Sequence, residues 1–259
     1  MGQRLVALVA ADDELALAAA VDSPDHPRIG EDAGTIAGAG ATGVPLSGAL
    51  DADADVLIDF SLPEPCEAII ETCRQRKIPL VVATTGLSDE QTAKLHAAAE
   101  EIPLLWAPNM SMAVNLAMKL SELAAAALKD KDADVEILER HHRFKEDAPS
   151  GTALKFGQII AEVMGQADHV HGREGRTGRR PHGEIGYHAI RVGDNPGEHT
   201  IVFAMLGEMI EITVRATNRD SYALGALAAA RFLVGRPPGL FGMNDVLGVQ
   251  SSGYSGVDR

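Results

Sequence analysis

The sequence predicts an α/β protein in which a doubly wound parallel sheet is joined to a second, α+β domain with an open mixed sheet. The first part of the chain alternates short apolar runs with segments of helical spacing, a pattern typical of parallel strands connected by helices. Further strand-like runs follow later, the first of them with Val135 and Ile137 alternating with Glu136. At 259 residues, the chain is long enough for two domains with a real core.

The predicted elements of the first domain follow in chain order. Strands are expected at residues 15–21, 56–61, 80–86 and 104–108. Helices are expected at residues 3–11, from a proline-bounded turn to about Arg76, and at 88–101. The last of these helices starts with Ser88 and Gln91 in a spacing that resembles a capping box.

The second domain is predicted to begin with a core helix, because Met112, Leu116, Leu120 and Leu123 recur at helical spacing between residues 111 and 129. Strands are expected at residues 135–142, 183–192, 199–206 and 209–216, with a helix at 153–164. An alanine-rich helix at 221–234 should return the chain to the first domain. We therefore assign residues 1–111 and 219–259 to a dinucleotide-binding domain, and 112–218 to a substrate-binding and oligomerisation domain.

Composition excludes several classes of function. The formal net charge of −14 lacks the basic footprint of a nucleic-acid-binding protein. Cys66 and Cys73 lie seven residues apart in a predicted helix, so we expect two buried thiols in a reducing compartment. No apolar run is long enough for an export signal or a membrane span. The sequence predicts a soluble, cytoplasmic protein with no membrane partner.

A strand-to-helix loop in the second domain concentrates cationic and titratable side chains. It contains His141, His142, Arg143 and Lys145. The helix that follows has Ser150 as a candidate N-cap, and the next residue is a glycine that leaves the backbone N–H groups of the helix start accessible. This arrangement predicts a pocket for an anion.

Such a pocket suits a small molecule that carries carboxylates and receives a proton nearby. Gly151 and Thr152 would hold one carboxylate, Lys145 would act as a point charge or acid, and a histidine would hold or relay a proton. Two other interpretations stay open. The loop could be a solvated basic segment before a capped helix. A zinc site is less favoured, because adjacent histidines on a strand point to opposite faces and no third ligand stands at ligand spacing.

A second basic segment, rich in glycine, spans residues 169–180. It could be a mobile lid over an anionic ligand, but a solvated loop is the favoured interpretation.

Polar residues also follow the predicted strands of the first domain. Examples are Asp22, Asp59, the pair Thr84 and Thr85, and Asn109. Each signal is weak alone, because strand ends commonly carry turn residues. Together they trace a groove for a dinucleotide, in which Asp22 could bond the ribose hydroxyls.

The loop sequence His141-His142-Arg143-x-Lys145-x-Asp147-x-Pro149-Ser150-Gly151-Thr152-Ala153 resembles the signature of the 4-hydroxy-tetrahydrodipicolinate reductases (dihydrodipicolinate reductases). Residues 185–191, 197–200 and 239–247 are also similar to this family. The resemblance implies an NAD(P)H-dependent oxidoreductase of the diaminopimelate and lysine pathway, acting on a small dicarboxylate. It implies acid/base roles for His141 and Lys145, and substrate binding by His142, Gly151 and Thr152.

The resemblance also implies a cofactor site for NADPH or NADH and a homotetramer. The implied cofactor residues are Met1, Asp22, Ala83, Thr84, Thr85, Ala107, Pro108, Asn109 and Met110. Ser23 stands where the family often has arginine, which removes a partner for the 2′-phosphate and favours NADH or dual use. The tetramer is expected to form through the second sheet, on a face left partly apolar by Ile201, Phe203, Ile210 and Ile212.

The N-terminus departs from the family pattern. Met1-Gly2 resembles the end of the Gly-x-x-Gly-Arg-Met-Gly loop, so the first strand and most of that loop are absent from the sequence. We expect uncovered apolar neighbours and weakened pyrophosphate binding. The alternatives are therefore an N-terminally truncated homologue that is weakly active or inactive and still binds the dicarboxylate, and another two-domain dehydrogenase.

Overall fold

The computed structural model describes residues 1–249, which form two compact units. The first unit contains Met1–Ser111 and Asp220–Val246, and the second contains Met112–Arg219. Residues 250–259, which we assigned to the end of the dinucleotide-binding domain, lie outside the described residues. None of the helices formed by residues 1–249 combines the length and apolar character needed to span a bilayer.

The helices and strands alternate through the first unit and the start of the second. In chain order they are α1 (Gly2–Ala10), β1 (Ala20–Val21), α2 (Ala33–Ala37), β2 (Leu46–Ser47), β3 (Leu57–Asp59), α3 (Cys66–Arg76), β4 (Leu80–Val82), α4 (Asp89–Ala99), β5 (Pro103–Trp106) and α5 (Met112–Leu128). The remaining elements are β6 (Asp134–His141), α6 (Gly151–Met164), β7 (Asp168–His171), β8 (Glu184–Arg191), β9 (Glu198–Met205), β10 (Glu208–Arg215), α7 (Asp220–Leu233), β11 (Gly239–Phe241) and α8 (Met243–Val246).

The first unit confirms the predicted parallel sheet with helices on both faces. Its four strands lie in the order β11-β5-β4-β3, and every neighbouring pair is parallel. Side chains alternate across it: Val81 and Leu105 pack with residues of α1 and α7, whereas Leu80 and Leu104 pack with residues of α3 and α4. The carboxyl ends of these strands therefore meet at one edge.

The strand predicted at residues 15–21 is largely wrong. Only Ala20 and Val21 form a strand, and they pair in parallel with Leu46 and Ser47. Because its partner β2 is only two residues long, the paired part of β1 is equally short. The preceding segment is instead organised by Asp12, whose carboxylate accepts the backbone N–H groups of residues 14 and 15.

The second unit confirms the predicted mixed sheet but adds a strand. Its five strands lie in the order β10-β9-β6-β8-β7, with β6, β8 and β7 mutually parallel and β9 antiparallel to its neighbours. Part of the segment interpreted as a loop is β7, whose backbone pairs with the edge of β8. Helices α5 and α6 cover one face, where Val135, Ile137 and Phe156 are fully buried.

The predicted core face of α5 is wrong. Met112, Leu116, Leu120 and Leu123 are 37–45% exposed in the described chain. The buried positions are Val114, Ala117, Lys119, Ser121 and Ala125. Most of these residues are small, so α5 can approach its neighbours closely. The helical spacing of the large apolar residues does not reveal this face.

The predicted open apolar face of the sheet is also wrong in its residues. Ile201 and Phe203 are fully buried in the core, and their cross-strand partners are Ile212 and Ile210. All four therefore lie on the face covered by helices. The opposite face carries other apolar side chains, among them Leu138 at 37% and Ile190 at 41% exposure.

Candidate active site

The loop from β6 to α6 is held against the loop that follows β8. Val192 donates its backbone N–H to the carbonyl of His141 (2.9 Å), and Arg143 donates to the carbonyl of Gly193 (3.0 Å). Ser150 is the N-cap of α6, as predicted, and its hydroxyl accepts the N–H of Ala153 (3.2 Å). The backbone thus fixes both ends of the predicted anion pocket.

A buried carboxylate, Glu139, lies at the centre of the site. Arg191 binds it through two nitrogens, at 2.7 and 2.8 Å. Nδ1 of His141 lies 2.5 Å from one carboxylate oxygen, and the backbone N–H of Ser150 donates to the other at 3.1 Å. One side chain therefore links the end of β6, the end of β8 and the start of α6.

Electrostatics keep Glu139 ionised and His141 neutral at neutral pH. Burial alone would raise the pKa of Glu139, but the hydrogen bonds from Arg191 and His141 outweigh it and hold the pKa below its usual range. Burial lowers the pKa of His141. The Glu139 carboxylate opposes this effect without cancelling it, and the positive charges of Lys145 and Arg191 add to the lowering.

His199, on β9, is the second buried histidine. Its Nε2 lies 3.1 Å from the hydroxyl of Ser150, and its ring packs edge-on against His141 with centroids 5.2 Å apart. Burial lowers the pKa of His199 to about 4, and the proximity of His141 adds to this effect. His199 is therefore a neutral partner of the helix cap rather than a cation.

The structure places the other predicted substrate and proton-transfer residues in the same loop and helix start. Lys145 donates from Nζ to a carboxylate oxygen of Asp147 at 2.7 Å, which holds the pKa of that carboxyl below its usual range. Nδ1 of His142 is buried without a hydrogen-bond partner among the described residues. Gly151 is exposed and Thr152 half-buried at the first turn of α6.

Sequence reasoning missed three residues of this site: Glu139, Arg191 and His199. Glu139 had a detectable signal, since it continues the alternation of Val135 and Ile137 and thus places a charge at an inward-facing position of β6. Arg191 and His199 reach the site only through the pairing of β6 with β8 and β9. No local sequence pattern predicts the pairing of β6 with β8 and β9.

Part of the predicted cofactor site lies at adjacent strand ends of the first unit. Ala83 donates its N–H to the carbonyl of Asp59 (2.8 Å), and Ala107 donates to the carbonyl of Val82 (3.1 Å). The segments after β3, β4 and β5 are therefore side by side. The side chain of Thr84 is buried and donates to the carboxylate of Asp59 (2.8 Å).

The remaining predicted cofactor residues differ in exposure. Thr85 and Pro108 are exposed and Asn109 is half-buried, whereas the side chain of Met110 is only 1% exposed and packs in the core. Met110 can therefore offer a ligand its backbone but not its side chain. The small and polar exposed groups at this edge can hydrogen-bond an extended polar cofactor such as a dinucleotide.

Met1 and Asp22 are also exposed in the first unit. Met1 is the N-cap of α1, and its carbonyl accepts the N–H groups of Arg4 and Leu5. Asp22 follows β1, and its carboxylate accepts the N–H of Ser23 at 2.7 Å. Within residues 1–249, β1 pairs with β2 and not with the four-stranded sheet, so the strand ladder does not connect Asp22 to Ala83 or Ala107.

The second basic segment is anchored to the sheet. Arg173 binds Glu136 at 2.8 and 3.0 Å and Glu184 at 2.5 Å. Arg180 binds Glu136 and Asp134 at 2.9 and 2.6 Å. The interpretation as a simply solvated loop is therefore incomplete, because two of its arginines are paired. The described part of the chain holds no cluster of three or more His, Cys, Asp or Glu placed to bind a metal ion.

Comparison with known proteins matches both units. The N-terminal domain model of dihydrodipicolinate reductase matches residues 1–110, and the C-terminal domain model matches residues 113–247. The 4-hydroxy-tetrahydrodipicolinate reductase of Rhodopirellula baltica is 57% identical over 97% of this chain and 94% of its own length. That of Alkalilimnicola ehrlichii is 51% identical over 96% and 95%.

A solved structure is similar over nearly the whole chain. The dihydrodipicolinate reductase of Paenisporosarcina sp., with dipicolinate bound, superposes with a TM-score of 0.75 and 28% identity, covering 93% of this chain and 92% of that one. An amine dehydrogenase from Mycobacterium smegmatis, at 12% identity and a TM-score of 0.55, shares the fold only. By its sequence, its two domains and the loop between β6 and α6, the chain belongs to the dihydrodipicolinate reductase family.

Proposed function

We propose that this protein reduces 4-hydroxy-tetrahydrodipicolinate to tetrahydrodipicolinate with NADH or NADPH, as a step of diaminopimelate and lysine biosynthesis. The observation that carries this proposal is 57% identity, over nearly the full length of both chains, to a protein with that activity in its name. An inactive homologue is not favoured, since both family domain models and relatives named for this reductase match nearly the whole chain. The assignment of roles to single residues rests on the geometry below.

The substrate carboxylates bind at the start of α6. The helix N-terminus carries partial positive charge and N–H donors, and Gly151 and Thr152 are its first two residues. His142, half-buried in the same loop, is a further polar group for the ligand, and its Nδ1 has no hydrogen-bond partner among the described residues. The bound dipicolinate of the Paenisporosarcina enzyme supports a small dicarboxylate as the ligand class.

Replacing the substrate hydroxyl by hydrogen requires both a hydride and a proton. Bound NADH or NADPH supplies the hydride. The hydroxyl leaves as water, which consumes one proton. His141 and Lys145 are the groups of this loop that can hold or move that proton, because the imidazole of His141 is neutral and Lys145 carries an ammonium group next to Asp147.

The first unit binds the cofactor, and residues 112–218 bind the dicarboxylate. Ala83, Thr84 and Thr85 would hold the cofactor at the end of β4, and residues 107–110 would hold it at the end of β5. Met1 and Asp22 complete the set, with Asp22 on ribose hydroxyls. Because Ser23 offers no positive charge for a 2′-phosphate, we expect NADH to be used at least as well as NADPH.

The protein works in the cytoplasm as a homotetramer. The face of the second sheet opposite α5 and α6 supports an assembly through this domain, since Leu138 and Ile190 are exposed there. Light scattering at micromolar concentration tests this assembly, and a monomeric mass would contradict it.

The activity is tested by following the absorbance of NADH and NADPH after adding freshly generated 4-hydroxy-tetrahydrodipicolinate. We expect oxidation of the cofactor only when both substrates are present, with inhibition by dipicolinate. No oxidation of either cofactor by the folded protein would reject the proposed reaction. Reduction of NAD+ or NADP+ by a sugar acid or an amino acid instead would identify a different dehydrogenase.

A further inference from the structure

Glu139 is a buried carboxylate whose two oxygens are both occupied by groups from other parts of the site. Each of its two oxygens accepts two contacts: Arg191 and the N–H of Ser150 on one, Arg191 and His141 on the other. An ionised carboxylate only accepts hydrogen bonds, so Nδ1 of His141 must carry the hydrogen in this contact. In neutral His141 the lone pair is then on Nε2.

The same carboxylate fixes the start of α6. Ser150 gives its N–H to Glu139, and its hydroxyl oxygen accepts the N–H of Ala153. The hydroxyl hydrogen is therefore available to Nε2 of His199, 3.1 Å away. The N–H and the hydroxyl of Ser150 are thus both directed by buried partners, which fixes the helix start relative to His141.

The surroundings of Nε2 of His141 are consistent with this orientation. Gly197 lies beside this nitrogen. A Cβ atom added at Gly197 would be 3.0 Å from Nε2 and would crowd the ring, and the φ of +151° also favours glycine there. Charged or titratable groups that influence the ring come from every neighbouring element: Glu139 on β6, Arg191 on β8, His199 on β9 and Lys145 in the loop.

We propose that Glu139 is a positioning residue of the reductase: it fixes the tautomer and orientation of His141 and, through Ser150, the distance from that imidazole to the carboxylate-binding start of α6. This inference rests on the proposed function, in which His141 handles a proton and α6 binds the dicarboxylate. Glu139 itself is too deeply buried to touch the substrate, with 1% of its side chain exposed. Its effect is exerted through its two neighbours.

The chain contains a matched control for this role. Glu136 lies on the same strand and also pairs with arginines, Arg173 and Arg180, and with a histidine, His188, at 2.7 Å. It points to the opposite face of the sheet from Glu139. Glu136→Gln therefore removes a comparable ion-pair network without reaching the site.

The experiment compares Glu139→Gln, Glu136→Gln and the double variant Glu139→Gln/Arg191→Met. The double variant removes both buried charges, so that a folded protein remains if the unpaired Arg191 of the single variant prevents folding. We expect kcat to fall about 100-fold in both Glu139 variants, the range of a displaced acid/base group, and to stay within about twofold in Glu136→Gln. The limb of the pH profile that reports His141 should move to lower pH in Glu139→Gln and stay unchanged in Glu136→Gln.

Wild-type turnover with an unchanged pH profile in the folded double variant would overturn the proposal. So would equal losses of activity in the Glu139 and Glu136 variants that track their losses of stability. An inactive wild type would reject the proposed function instead, and the 15N chemical shifts of the His141 ring would then decide on Glu139. Hydrogen on Nδ1 in the wild type, with a mixture of tautomers in Glu139→Gln, supports the positioning role, and hydrogen on Nε2 in the wild type refutes it.

Discussion

The hydroxyl of Ser150 lies 3.1 Å from Nε2 of His199, which joins the first turn of α6 to strand β9 inside the core. The two residues are 49 positions apart in sequence. A helix cap is normally a local device, but here its hydroxyl also satisfies a buried imidazole. The cap therefore serves both the stability of the domain and the geometry of the anion site.

Ser150→Ala should lower the free energy of unfolding and weaken substrate binding together. Loss of an N-cap costs about 1 kcal/mol, and His199 also loses its partner, so we expect roughly 1–3 kcal/mol in urea denaturation. The KM for the dicarboxylate should rise. Ser88→Ala, which removes the cap of α4, is the control. It should lower stability with no change in that KM, and equal effects on KM would argue against a role of the Ser150 cap in binding.

The stability of the protein should decrease as the pH falls from about 6.5 to about 4, the usual and the folded-state pKa of His199. In this window His199 binds a proton in the unfolded chain but stays neutral in the folded one. The free energy of unfolding therefore rises with pH and levels off above 6.5. The free energy of unfolding that is lost because of His199 is roughly 3 kcal/mol over the whole window. Urea denaturation at a series of pH values measures the slope, which should become shallower in His199→Gln. Identical slopes would show that other groups cause it.

Lys145→Ala should reduce turnover by about 10²- to 10⁴-fold with little change in stability. The side chain lies in a loop and forms an ion pair with the exposed Asp147. Lys155→Ala, an exposed lysine of α6, is the matched control and should keep its kcat. Steady-state kinetics and thermal unfolding separate the two effects, and wild-type turnover in Lys145→Ala would remove it from the mechanism.

His142→Ala and Thr152→Ala should act on substrate affinity more than on turnover. Each is expected to lose a contact to a carboxylate worth roughly 1.5–3 kcal/mol, which corresponds to a roughly 10- to 150-fold higher KM. His182→Ala, on an exposed loop of the same domain, should leave KM unchanged. If kcat falls and KM does not change in His142→Ala, this residue belongs with the proton-transfer groups.

Gly157→Ala should destabilise the second domain. The added Cβ would lie 1.7 Å from the hydroxyl of Tyr187, whose buried ring is stacked against His169 and His171. Overpacking of this kind costs about 1–3 kcal/mol, more than the helix propensity gained by replacing glycine. Gly183→Ala meets no atom within 4 Å and is the control. Equal stability of the two variants would mean that the ring moves freely.

The order of elements could be predicted from the sequence because apolar runs and helical spacing are local properties. The capping box of Ser88 and Gln91 and the N-cap Ser150 were found for the same reason. Burial could not be predicted as well. On α5, large apolar residues such as Leu116 are exposed, while Lys119 is buried beside Glu122, since packing against other elements decides which face is inside.

The loop of the site was visible in the sequence, whereas its buried support was not. His141, His142 and Lys145 stand close together in the chain, so their pattern is readable. Arg191 and His199 are supplied by other strands, and only the register of the sheet brings them to Glu139 and Ser150.

The parallel pairing of β6 with β8 has a consequence for the order of folding. Glu139 and Arg191 are 52 residues apart, and the intervening chain must first form α6 and return along β7. Closing a loop of this length costs more chain entropy than forming the hairpin of β9 and β10, which are joined by two residues. Until β8 docks, the Glu139 carboxylate on β6 lacks Arg191, its cationic partner. The site is thus complete only when this long-range pairing has formed, so substrate should stabilise the folded chain but not an intermediate that lacks β8.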